Sequence, residues 1–271
     1  MDSRHAANSA ELLKVAERVA DAAGNAILPH FRAHGLVIED KDDDGLFDPV
    51  TVADREAEAA MRAVLAEHRP QDGILGEEEG HSEGTSGLTW VLDPVDGTRG
   101  FVAGTPNWGV LVALADADGP FLGIVDQPYI GERFIGGPNM AEFRRGTFRR
   151  QLQTRKTARL SDSIIFTTFP EVGDSHEQRA FHELAPQTRL VRYGMDCYAY
   201  ALLADGQIDL VVEAGLHPYD IQAPIAVIEA AGGIVTDWDG GPAHEGGRAL
   251  AAANAAVHAA ALEVLAGTGS G

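Results

Sequence analysis

Two aspartates three residues apart, Asp93 and Asp96, flank Pro94-Val95 and run into Gly97-Thr98. The apolar Trp90-Val91-Leu92 precedes them, so a strand delivers both carboxylates into a turn. Pro94 restricts the backbone between them, and Gly97 permits a close approach or an unusual φ. Carboxylates so placed can share hard divalent cations, and Mg²⁺ prefers oxygen ligands and often recruits substrate phosphate. If Gly97-Thr98 opens a turn or helix, its N–H groups can hold a phosphate oxygen. A capped turn with two solvated aspartates is the alternative reading of the same residues.

Other acidic positions are ambiguous alone. Glu77 follows Ile74-Leu75 within Gly76-Glu77-Glu78-Glu79-Gly80, and it either reaches the same cations or belongs to a charged surface turn. Asp220, in Pro218-Tyr219-Asp220, is most simply a helix N-cap. Asp54 stands three residues after Thr51, the spacing of a capping box. His217 is near Asp220, but hard Mg²⁺ disfavours imidazole, so it is read as a non-ligand. Cys197 is the single cysteine, which excludes an intrachain disulfide and a Cys-rich zinc site. No base adjoins it, so it reads as a small buried residue.

These residues need elements to position them. Helices are predicted over 8–27, from Thr51 to about Pro70, and over 176–184, 198–204, 221–231 and 255–265. Strands are predicted at 74–75, 89–92, 108–113, 121–125, 134–135, 164–168, 208–212 and 234–236. The early strands read as antiparallel neighbours with helices on one side. An acidic loop spans 39–45, and the tail 267–271 reads as disordered. The chain of 271 residues is expected to be one catalytic unit, with an α+β half (1–150) and an α/β half (151–271).

The net charge is −20. That argues against duplex nucleic acid and against an anionic membrane surface as partners. No basic start leads into an apolar stretch, and no run reaches the ~18 apolar residues of a membrane helix. A cytoplasmic location is therefore expected. The charge would also repel phosphorylated ligands unless something inverts the local field.

Taken in order, the G-E-E of 76–78, the D-P-V-D-G-T of 93–98, and Y-D at 219–220 ahead of E-A-A-G-G at 229–233 resemble the inositol monophosphatase superfamily. Further stretches are similar to its histidinol-phosphate phosphatase branch. They are Arg99-Gly100-Phe101, Gly104-Thr105-Pro106, 122–128, 193–198 and Glu213-Ala214-Gly215-Leu216. Met195 and Pro224 depart from that branch, which commonly has a glycine and a bulky aliphatic residue there.

The resemblance implies a layered α/β fold, the αβαβα sandwich of the inositol monophosphatase and fructose-1,6-bisphosphatase type. It implies a lithium-sensitive phosphomonoesterase using two or three Mg²⁺, often a homodimer. Glu77, Asp93, Asp96, Asp220 and the Val95 carbonyl would be metal ligands. Gly97 and Thr98 would bind phosphate, and Thr98 with Asp54, together with Glu77, would serve the attacking water. The substrate would be a small phosphorylated metabolite, foremost L-histidinol phosphate in histidine biosynthesis.

Histidinol phosphate carries an amine and an imidazole, which call for carboxylates. Asp196 and Glu213 are candidates, with Arg99 and Arg192 as further contacts beside Asp96 and Asp220. Each has a structural alternative: Asp196 as the cap of a helix and Glu213 as the ion-pair partner of Arg192. An inositol 1-phosphate or sugar phosphatase is the alternative within enzymes. A haloacid-dehalogenase-type phosphatase uses D-x-D-G-T, and here the spacing is one residue longer. A non-catalytic metal-binding regulator on the same scaffold is a different class. Three divalent ions would outweigh the four ligand carboxylates, making one spot positive on an acidic protein. The Asp93→Asn protein is expected to fold normally and to lose turnover; near-normal phosphate release from it would refute the metal reading.

Overall fold

The structure, a computed structural model, describes residues 9–34, 38–40, 49–171 and 173–267. Asn8, most of the acidic stretch at 39–45, and 268–271 lie outside them. Helix α1 (Ser9–Ile27) buries Leu12, Val15, Val19, Ala23 and Ile27, the stripe that its three- and four-residue spacing dictates. Strands β1 (Ile38–Asp40) and β2 (Pro49–Thr51) pair antiparallel. Helix α2 (Val52–His68) starts on a capping box: the Ala53 N–H donates to Thr51 Oγ1 and the Thr51 N–H to Asp54 Oδ2.

Eight strands follow, interrupted only by the short helix α3 (Thr98–Ala103). They are β3 (Gly73–Gly76), β4 (Gly80–Ser82), β5 (Thr89–Asp96), β6 (Gly109–Asp116), β7 (Gly119–Gln127), β8 (Glu132–Gly137), β9 (Met140–Arg145) and β10 (Phe148–Gln151). Their order is β10-β9-β8-β7-β6-β5-β3-β4, with β3 and β5 parallel. The remainder supplies β11 (Ile164–Thr167), α4 (Ser175–Leu184), β12 (Leu190–Tyr193), α5 (Asp196–Ala204), β13 (Leu210–Leu216), α6 (Pro218–Ala230), β14 (Ile234–Thr236), β15 (Gly247–Ala252) and α7 (Ala255–Gly267). The second sheet runs β12-β11-β13-β15-β14 and is mixed, its first three strands parallel.

Side-chain alternation along these strands builds the layers. In β5 and β6, Trp90, Leu92, Val110 and Val112 face the cluster of α1 and α2. Val91, Leu111 and Ala113 face the opposite way, into a cluster with Ala199, Ile221 and Val227 of α5 and α6. Phe166 and Val211 of the second sheet close that cluster from the far side. Their neighbours Ile165, Leu210 and Val212 meet Phe181 of α4 and Val257 of α7. The result is α, β, α, β, α. The large sheet is therefore covered on both faces, which corrects the expectation of helices on one side. The reason is visible in β6, where Gly109 through Ala115 are all buried.

Glycines seat α6 on the large sheet. Gly123 and Gly136 are cross-strand partners on β7 and β8. A Cβ on Gly123 would lie 2.5 Å from the Ala223 carbonyl oxygen, and one on Gly136 would lie 2.3 Å from that of Ala226. The helix backbone thus rests on the sheet backbone. Gly136→Ala should lower stability by about 1–3 kcal/mol through overpacking. Thermal denaturation reads this directly, and an unchanged melting temperature would show that α6 can shift freely.

Candidate active site

Asp93 and Asp96 are an odd number of residues apart, so a regular strand would point them to opposite faces. A bulge prevents this. Asp93 pairs with Leu111 and Asp96 with Gly109, so three steps on β5 match two on β6. The extra residue re-aims the strand end. The Val95 N–H donates to Asp93 Oδ1, and the Thr98 hydroxyl donates to the Val95 carbonyl at 3.0 Å. Gly97 has φ +85°, and a Cβ there would lie 3.0 Å from the Asp196 side chain.

Parallel pairing of β3 with β5 sets Gly76 beside Leu92, so Glu77 arrives next to Asp93. The two carboxyl groups are hydrogen-bonded. A buried strut behind the turn fixes Glu77. Glu58 of α2 accepts from the Glu78 N–H at 2.7 Å and the Glu79 N–H at 3.0 Å. Arg62, one helical turn on, donates to Glu58, to the Gly80 carbonyl and to Ser82 Oγ. Sequence reasoning missed this strut; its signal was the Glu58/Arg62 spacing of four residues on the helix that Thr51 caps.

Asp220 enters from α6, where its Oδ2 accepts from the His217 N–H at 2.7 Å. The helix thus begins at Pro218 with His217 as its N-cap, and Asp220 is the third helical residue of the capping box rather than the cap itself; it also meets the β5 turn. Asp93, Asp96 and Asp220 offer oxygens within 4.8 Å of one another and could hold a metal ion. His217 is outside that group and stacks on Tyr219.

Helix α5 closes the site from the side. Its Cys197 N–H donates to Asp96 Oδ2 at 2.6 Å. Asp196 has φ +46°, a left-handed conformation that Asp tolerates better than most residues but at a cost of roughly 1 kcal/mol. The helix starts at Asp196 itself, rather than at Tyr198 with Asp196 as its cap. Asn107 clamps that residue, donating to Asp196 Oδ2 at 2.7 Å and to the Gly194 carbonyl at 2.9 Å. Glu213 is buried and accepts from the Thr168 N–H and from the Thr167 and Thr168 hydroxyls. These hydrogen bonds, and not Arg192, are what hold it. Asn107 and Thr168 were invisible as site residues in the sequence, because each acts on a carboxylate more than forty positions away.

A cavity of about 420 Å³ opens over this arrangement, walled by Glu77, Asp96, Gly97, Thr98, Arg99, Asp196, Glu213 and Asp220 among others. Arg99 reaches it with its guanidinium over the Phe169 ring. Asp93 and Val95 lie buried beneath the wall. Arg192 is exposed on the edge strand β12 and does not line the cavity, nor does the buried Asp54, whose Oδ2 is taken by Thr51.

The electrostatics are one-sided. Burial, then the charges of Glu77, Asp96 and Asp220, hold the Asp93 carboxyl well above the usual carboxylate range. Burial and then Asp220 raise Asp96 to about 7, and burial and then Asp96 raise Asp196 to about 7. Burial brings Glu213 to about 8 despite its hydrogen bonds from Thr168 and Thr167. Cys197 is buried and its thiol is pushed up, which does not suit a nucleophile. Hard oxygen donors crowded at one spot, repelling one another, fit a divalent cation.

That geometry can be set beside known proteins. The inositol monophosphatase family profile matches residues 8–268. The chain belongs to the inositol monophosphatase family. Metal dependence is generic to this family, and the chain is a phosphoric monoester hydrolase acting on a small phosphorylated substrate. It is 33 % identical over 246 residues to the histidinol-phosphatase of Chlorobaculum parvum, covering 90 % of this chain and 93 % of that protein. It is 41 % identical over 228 residues to the chloroplastic bifunctional phosphatase IMPL2 of Arabidopsis thaliana, covering 83 % of this chain but only 64 % of the plant protein. A solved inositol monophosphatase from Zymomonas mobilis superposes with a TM-score of 0.83 at 38 % identity, covering 94 % of this chain and 98 % of the other. The family and layered fold implied by the motifs are thus confirmed. Among the described residues, no helix is long and apolar enough to cross a membrane.

The raised carboxyl groups tie stability to pH. An unfolded aspartate titrates near ~3.9, so between there and about 7 the folded chain holds a proton at Asp96 that the unfolded chain has released, and Asp93 is shifted in the same direction. Folding of the chelated protein should therefore weaken as pH rises through that window, and added divalent cation should restore it. Thermal melts with chelator and with Mg²⁺ at pH 5 and pH 8 check this, and the gap between them should widen with pH.

Proposed function

We propose that this family member hydrolyses L-histidinol phosphate to L-histidinol and phosphate, with Mg²⁺ held by Glu77, Asp93, Asp96, Asp220 and the Val95 carbonyl. When bound, Mg²⁺ supplies a Lewis acid for phosphoryl oxygens and makes water a stronger nucleophile. Gly97 and Thr98 orient the phosphate at the β5 turn. Thr98 is held at a fixed height by its bond to the Val95 carbonyl, which favours a role in aligning the attacking water. Asp54 supports this from the start of α2, since β2 immediately before it packs on α3.

The observation that carries the substrate reading is the second group of acids on the cavity wall. Asp196 and Glu213 are beyond what metal ligation requires, and both are buried enough for a cationic substituent to be preferred there. Arg99 is the basic wall residue that would meet phosphate. Arg192, exposed on β12 outside the cavity wall, is left out of this reading. An inositol 1-phosphate phosphatase is the second reading, favoured by the likeness to the Zymomonas mobilis structure.

A kinetic panel decides between them. The purified Mg²⁺-loaded enzyme should show a higher kcat/KM on L-histidinol phosphate than on inositol 1-phosphate or a bisphosphorylated nucleotide. The reverse order would establish the second reading, and no release from any substrate would favour a non-catalytic regulator.

A further inference from the structure

Tyr200 sits on α5, one turn after Asp196 and Cys197, so these three share a helix face and all line the cavity. Its side chain is 3 % exposed. Its phenol oxygen is buried and has no hydrogen-bond partner among the described residues. Buried tyrosines ordinarily satisfy the O–H, because leaving it unmet forfeits the hydration it had in water. A phenylalanine would fill the same space without that penalty. The polar atom therefore needs a reason that the protein alone does not supply.

The surroundings narrow that reason. Glu213 from β13 and Asp196 from the same helix line the cavity with it and stand outside the Asp93, Asp96 and Asp220 group. With carboxyl groups on the same wall and no N–H donor bonded to it, the oxygen's lone pairs are unmet. An oxygen in that state accepts best from a cationic N–H donor and is a poor neighbour for another anion or for a hydroxyl competing as acceptor.

We infer that Tyr200 is a specificity-determining residue whose phenol oxygen accepts a hydrogen bond from an ammonium or imidazolium group of the bound phosphomonoester. It shares that cation with Glu213 and Asp196. This rests on the substrate reading above and adds to it the group that tells an amine-bearing phosphate from a polyol phosphate. Glu213's oxygens are already engaged by Thr167 and Thr168, so the phenol supplies an acceptor direction that the buried carboxyl lacks.

The test is the Tyr200→Phe enzyme, full-length and Mg²⁺-loaded, beside the wild type. KM is measured for L-histidinol phosphate and for inositol 1-phosphate, L-histidinol binding by calorimetry, and the melting temperature by thermal denaturation. The expected result is a shift of the KM ratio by roughly tenfold or more toward inositol 1-phosphate, the size of a hydrogen bond to a charged group. L-histidinol affinity falls in step, while the melting temperature holds or rises because an unmet buried hydroxyl is gone. An unchanged KM ratio in the variant, when the wild type does prefer L-histidinol phosphate, overturns the role of Tyr200 and leaves the substrate reading standing. An unchanged ratio with a lowered melting temperature assigns the phenol to packing or to a structural water. A wild type with no such preference overturns both.

Discussion

Like charges held together inside a protein are the constraint on which this molecule is organised. Asp93 is buried against Glu77, Asp96 and Asp220, and their charges push its carboxyl upward together with burial. Left to themselves these side chains would move apart or keep their protons. The chain prevents separation with backbone rather than with side-chain attraction. A bulge turns Asp96 to the side of Asp93, a parallel strand pair brings Glu77 alongside, and a glycine shelf presses the helix of Asp220 onto the sheet. Each device acts on the main chain, so each holds position whatever the charge state of the carboxyl it carries.

That arrangement resolves the apparent conflict between a net charge of −20 and a phosphorylated substrate. The acid at the cavity floor creates a demand for cations, and cations there create a local site for phosphate. Acid elsewhere on the wall does a different task. Glu213 is locked by Thr167 and Thr168 and Asp196 by Asn107, so neither is free to swing down and join the floor. Two acidic groups with separate anchors can therefore serve opposite ends of one zwitterionic molecule.

The carboxylates that meet at the β5 turn were legible in the sequence because a short turn carries two of them in one motif and flanking signals mark the others. The residues that restrain them were not. Glu58, Asn107 and Thr168 are common polar types whose partners are set by packing across 20 to 89 positions. Elements show the same divide. Helix α1 announced itself through apolar spacing, whereas β10, reading Phe-Arg-Arg-Gln, has a single strand-favouring residue and β15, built from Gly, Arg, Ala and Leu, has no β-branched or aromatic one. The full burial of β6 was written in its unbroken apolar run, and a helix-covered second face was the conclusion to draw from it.

The middle layer carries a further consequence, one of timing. Helix α6 packs on β5, β6, β7 and β8, yet its residues are made long after those strands. Chains are synthesised from the N-terminus, and early segments can fold before late ones exist. The sheet face that Gly123 and Gly136 shape thus stays uncovered until residue 230 has been joined. Until then the nascent large sheet exposes apolar surface, and the carboxylates of Glu77, Asp93 and Asp96 wait without Asp220. The acidic floor of the cavity comes together as one of the last events in the birth of the molecule.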